Sequence, residues 1–184
     1  MKLYSLLAIL LIVPNGVAHE LEDNRATLVL RDKTHLSVTL FLTYSQVLHL
    51  ALAPQRPYDE FLLTFSAMTP EELQKQLSLA EAKFQSTIHL YGAPRLEIPL
   101  TNWIWPDSKL VQDLLRQRVM QAMVDGKGHT HESPLEIHAD ANAQREITTV
   151  QAQFPDEFQK MLVVAFRPSQ LWVERKALSS AIKF

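Results

Sequence analysis

Near the start of the chain, apolar and polar positions alternate with period two. Ala26, Leu28 and Leu30 point one way, with Thr27, Val29 and Arg31 opposite. After the polar connection Asp32-Lys33-Thr34, the alternation resumes. Leu36, Val38, Leu40, Leu42 and Tyr44 then share one side, against His35, Ser37, Thr39, Phe41 and Thr43. Two alternating runs across a short polar turn predict an antiparallel hairpin. His35 opens the second strand on its polar side and reads as a solvated edge residue.

Helical spacing takes over further along. Ser45 is placed to cap a short helix through Ala53, with Val47, Leu48, Ala51 and Leu52 as its apolar side, before Pro54 and Pro57 interrupt the chain. Residues 58–68 are apolar without a clear period and read equally well as helix or buried strand. Thr69-Pro70-Glu71-Glu72 is a capping box with proline at the first helical position. Leu73, Leu77, Ala80 and Phe84 follow on one face, so a surface helix is predicted to about Ser86. Residues 88–91 and 96–105 read as strands around Gly92-Ala93-Pro94, with Pro99 marking an edge or a bulge. A second long helix opens at Pro106-Asp107-Ser108. Its stripe runs through Leu110, Val111, Leu114, Leu115, Val119, Ala122 and Met123, and Gly126 is its C-terminal cap.

After a loop over residues 127–134, Leu135, Ile137, Ala139 and Ala141 alternate with Glu136, His138, Asp140 and Asn142. Residues 147–154 and 161–166 read as further strands, and Leu171-Trp172-Val173 as a candidate for one more. The expected fold is α+β, with an antiparallel β-sheet or sandwich and two main α-helices packed on it.

Composition narrows the class. The chain has 184 residues, 47% hydrophobic and 21% charged, with a formal net charge of −2. Those values suit one globular domain and lack the basic stripe of a nucleic-acid binder. Lys2 followed by an apolar run to Val13, the breaker Pro14-Asn15-Gly16 and the small residues of Gly16-Val17-Ala18 form the pattern of a secretory signal peptide. Residues 1–18 are therefore expected to be cleaved, leaving residues 19–184 as a single soluble exported domain in the periplasm or outside the cell. The apolar run is shorter than the ~20 residues that span a bilayer. The absence of cysteine excludes disulfides, thiolate metal sites, a cysteine nucleophile and lipid attachment through cysteine.

Candidate chemistry concentrates in the segment Gly-Lys-Gly-His-Thr-His-Glu that starts at Gly126. His129 and His131, two apart, can turn both rings toward one ion, and Glu132 is a further donor. His138 reaches the same ion if the loop folds back over the strand that follows. Cleavage before His19 places a free α-amine beside an imidazole, a pair suited to copper. The competing reading of the loop is a solvated connection between helix and strand. Trp103-Ile104-Trp105 fits sheet packing better than a sugar platform. Neither a Gly-x-Ser-x-Gly elbow nor a glycine-rich phosphate loop is present, so an enzyme is the minority reading. The favoured expectation is an exported accessory protein binding copper or zinc through His129 and His131, with His138, His19 and Glu132 as additional ligands, for capture or delivery to a membrane partner. The alternative is a metal-free interaction module that docks an envelope or membrane protein through a sheet edge or helix face.

Overall fold

The computed structural model describes residues 24–125 and 132–168. The alternating start folds as its pattern requires. Strands β1 (Asn24–Leu30) and β2 (His35–Leu42) pair antiparallel, with Leu28 opposite Val38. Asp32 closes the turn, its Oδ1 accepting from the backbone N–H groups of Thr34 at 2.7 Å and His35 at 2.8 Å. Ala26, Leu28, Leu36, Val38, Leu40 and Leu42 are all buried.

Helix α1 (Tyr44–Leu52) follows β2 at once, so Tyr44 leaves the strand alternation and enters the core from the first helical turn. Thr43 is the N-cap, and Ser45 lies inside the first turn rather than at the cap. The ambiguous stretch is helix α2 (Tyr58–Ser66). Pro57 precedes it, Asp59 and Glu60 lie in its positively polarised first turn, and Phe61, Leu62 and Phe65 are buried. Helix α3 (Pro70–Thr87) has the expected reciprocal capping box. Glu72 N–H donates to Thr69 Oγ1 at 3.3 Å, and Thr69 N–H donates to Glu72 Oε2 at 3.0 Å. Its buried residues are Leu73, Leu77, Ala80 and Phe84, the four named from spacing.

Pro99 does more than mark an edge. Strand β3 (His89–Gly92) pairs with β4 (Leu96–Ile98), whereas β5 (Leu100–Ile104), immediately after the proline, pairs with β6 (Leu135–Asn142) in a different sheet. Between β5 and β6 runs α4 (Ser108–Asp125), where Asp107 Oδ1 accepts from Leu110 N–H at 2.8 Å. Strand β7 (Val150–Gln153), a 3₁₀ turn at Asp156–Phe158 and β8 (Met161–Phe166) complete the described chain.

Among the described residues, one sheet has five strands in the order β5-β6-β2-β1-β8, and the other three in the order β4-β3-β7. The helices and both sheets share one core, in which Leu40, Phe61, Leu77, Phe84, Leu90, Leu115 and Phe158 are buried together. The α+β expectation holds, with two short helices beside the two long ones. Two features depart from it. β8 runs parallel to β1, with Leu28 opposite Ala165, and β2 is a central strand, so His35 is half-buried within the sheet instead of solvated at an edge.

Candidate functional site

Glu132 and His138 lie among the described residues. His19, His129 and His131 lie outside them, as do the segment 1–18, Gly126 and Leu171-Trp172-Val173.

Glu132 is turned inward, with its side chain 1% exposed. One carboxylate oxygen accepts from the backbone N–H of Ser45 at 3.0 Å, and the other accepts from the Ser45 hydroxyl. Arg118 Nε on α4 stands 3.6 Å from that second oxygen, and the Ser45 hydroxyl also meets Tyr58 Oη from α2. An anion at the first turn of α1 satisfies helix N–H groups that have no partner within the helix. Burial nevertheless dominates and raises the Glu132 pKa, against the lowering effects of Ser45 and Arg118. Glu132 therefore joins α1, α2 and α4 to the start of the segment leading into β6. Spacing alone placed it in a ligand set and missed Ser45, Tyr58 and Arg118. Only the folded chain brings Ser45 and Glu132, 87 positions apart, into contact.

His138 lies on the polar outer face of the five-stranded sheet, opposite Thr39. Its Nδ1 is 3.2 Å from Thr39 Oγ1 and its Nε2 is 3.2 Å from Glu136 Oε2. On the same face, His35 Nε2 meets Asp140 Oδ1 at 3.2 Å, and Asn102 Nδ2 donates to Asp140 Oδ2 at 3.1 Å. The Asn102 amide first, and then His35, hold the Asp140 carboxyl below its ordinary range. Among the described residues, no group of three or more histidines and carboxylates is disposed to hold a metal ion. His49 bonds the Arg56 carbonyl at 2.7 Å and packs on Tyr58 and Phe61, while His89 pairs with Glu97 at 2.9 Å. Trp103 and Trp105 stack at 5.3 Å and pack against the core.

The most unusual surface lies at the other side of the five-stranded sheet. β8 reads Met-Leu-Val-Val-Ala-Phe, an unbroken apolar run of the kind found in strands covered on both faces. Among the described residues it nevertheless occupies the end of the sheet, and Leu162, Val163, Val164 and Phe166 are 38%, 44%, 39% and 51% exposed. Neither charge nor proline interrupts it. The opposite edge, β5, is guarded as edges usually are, by a register break, by Thr101 and Asn102, and by a positive φ of 53° at Asn102. Beneath β8, an open cleft of about 470 Å³ is lined by Leu28, Leu30, Leu36, Ile147, Val163 and Ala165. The segment before β7 forms its far wall, held where Ile147 N–H donates to the Lys33 carbonyl at 2.7 Å.

Compared with protein-family models, with curated proteins and with solved structures, the chain finds no match. Function must therefore be argued from the site. Among the described residues, no helix is long and apolar enough to cross a membrane.

Proposed function

We propose that this chain is an exported accessory protein that docks an envelope or membrane protein by accepting one of its extended apolar segments along β8. The single observation that carries this reading is a strand with the sequence of a doubly covered strand standing, among the described residues, at the edge of the sheet. An added strand pairs by main-chain hydrogen bonds with the side of β8 that no described strand covers, and its alternate side chains enter the apolar cleft. Each half-exposed β8 side chain that becomes covered contributes on the order of 1 kcal/mol. Export is supported by the pattern of residues 1–18.

Position-specific photocrosslinking in the intact cell envelope tests the docking. A photoreactive residue at Leu162, Val164 or Phe166 is expected to yield one discrete adduct, and the same probe at Thr101 or Asn102 on β5 none. Adduct formation that does not distinguish the two edges overturns the reading.

A second reading, metal capture, keeps a specific observation in its favour. Glu132, directly after His131, anchors the chain to α1 and α4. In that reading copper or zinc is held by His129 and His131, with His138 or the His19 terminus adding a donor. Glu132 then orders the loop, because its carboxylate is already engaged by Ser45 and Arg118.

A further inference from the structure

Helix α4 does not stay on the core along its whole length. Val111 and Leu115 are buried, and Leu114 and Val119 pack against the core beside them. The C-terminal end faces outward instead: among the described residues, Met120, Met123 and Val124 are 62%, 69% and 78% exposed. Methionine is out of its usual place here, because its flexible thioether ordinarily fills gaps in a core. Met68 and Met161 do so, packed against the core cluster. Met120 and Met123 do not. They stand three apart on one helix, so their side chains emerge from the same face with Cβ atoms about 5–6 Å apart. Gln121, between them, is engaged elsewhere, its Oε1 accepting from Arg118 Nη1 at 3.1 Å. In a chain without cysteine, methionine is the only side chain that offers a soft sulfur.

We propose that Met120 and Met123 form a two-sulfur site for a soft monovalent metal ion, copper(I) or its analogue silver(I), on the outer face of α4. Thioether sulfur selects Cu(I), whereas imidazole and carboxylate suit harder divalent ions. Two sulfurs on either side of one ion lie roughly 4.6 Å apart, twice a metal–sulfur bond of about 2.3 Å. Three rotatable bonds in each side chain bring the sulfurs to that separation without moving the helix. A thioether is neutral and carries no proton to release, so affinity does not change with pH, where a histidine site weakens on acidification. Two neutral donors also leave the ion open on its solvent side, where a stronger ligand set can take it over. The site goes beyond both readings of the function, since it uses no residue of β8 and no histidine.

Methyl NMR reads each sulfur separately. In the full chain, labelled at the methionine ε-methyls and held in chloride-free buffer, Ag(I) is expected to shift the Met120 and Met123 signals along one binding curve. Those of Met68 and Met161 stay where they are. Cu(I), supplied as such without oxygen, shifts the same pair. Met120→Leu and Met123→Leu test chelation, because each keeps side-chain volume and helix propensity. Either substitution is expected to weaken silver binding at the remaining methionine at least tenfold. Unchanged affinity at the remaining sulfur means two independent surface thioethers and overturns the proposal, as does an equal response from Met68 and Met161. Silver affinity that changes less than twofold between about pH 8 and pH 5 supports the site, whereas a tenfold loss on acidification places the ion on imidazole and overturns it. His129→Ala/His131→Ala is expected to leave the methyl shifts intact, and their loss in that variant likewise overturns the proposal.

Discussion

A carboxylate withdrawn from water needs several partners, and Glu132 has the first turn of α1, the Ser45 hydroxyl and Arg118. Replacing it with alanine removes one anionic neighbour of Arg118 and the acceptor of the Ser45 N–H, and so reopens the helix terminus. Glu132→Ala is expected to lower unfolding free energy by roughly 3 kcal/mol in urea titrations, whereas a loss under 1 kcal/mol shows that water replaces the carboxylate without difficulty. Glu132→Gln isolates the charge. Because burial raises the folded pKa of Glu132 above its unfolded value, the stability it contributes is fully present below that unfolded value. It is lost as pH rises through the folded pKa. Wild type should therefore gain on Glu132→Gln as pH falls from neutral toward 4.5, the ordinary value of a glutamate. A wild type that instead loses ground on acidification shows that the arginine and the helix terminus outweigh burial. None of this was legible in the sequence, where the nearest signal was two histidines at short range. The partners that fix its orientation come from α1, α2 and α4.

Elements with local causes were readable, and elements placed by distant contacts were not. The hairpin declares itself by period and turn, and α3 by Thr69, Pro70 and Glu72, because each of those interactions spans only a few residues. By contrast, Pro99 sits inside one apolar run that the fold divides between two sheets. Its missing N–H explains why the run must break there, but which sheet receives each half is set by β3 and β6. β8 is the instructive case. Its sequence states that it is covered on both faces, and the described residues leave it at an edge. That disagreement between local and global levels carries the functional argument. A paired substitution separates folding from docking. Val164, on the outer side of β8, is 39% exposed and Val38 is 2% exposed. Val164→Thr should change stability by no more than about 0.5 kcal/mol while reducing partner crosslinking. Val38→Thr buries a hydroxyl among aliphatic side chains and should cost roughly 1–3 kcal/mol. Equal costs in thermal unfolding mean that β8 is packed as tightly as the sheet centre.

At the scale of the whole molecule, two edges of one sheet are treated in opposite ways, and the polar face between them has already spent its imidazoles on neighbours. His35 is matched with Asp140, and His138 with Thr39 and Glu136. In the metal-capture reading the ligands are therefore His129 and His131, with the His19 amine and imidazole added if the chain is exported and cut before His19. Calorimetric titration of Cu(II) and Zn(II) into a chain beginning at His19, its first residue confirmed by intact mass, decides between the two readings. With metal capture correct, His129→Ala/His131→Ala weakens binding at least tenfold, and one extra residue ahead of His19 weakens copper more than zinc, since nitrogen chelates favour copper. The same double substitution leaves the Val164 crosslink unchanged, because β6, which the histidine segment leads into, is separated from β8 by β2 and β1. Should both mutant and parent bind metal equally while the β8 adduct persists, the histidines are solvated loop residues and partner docking alone remains. Should the adduct instead require bound metal, the metal and the edge are coupled, and Glu132, which contacts α1 and α4, is the described residue nearest to His131 through which the coupling would pass.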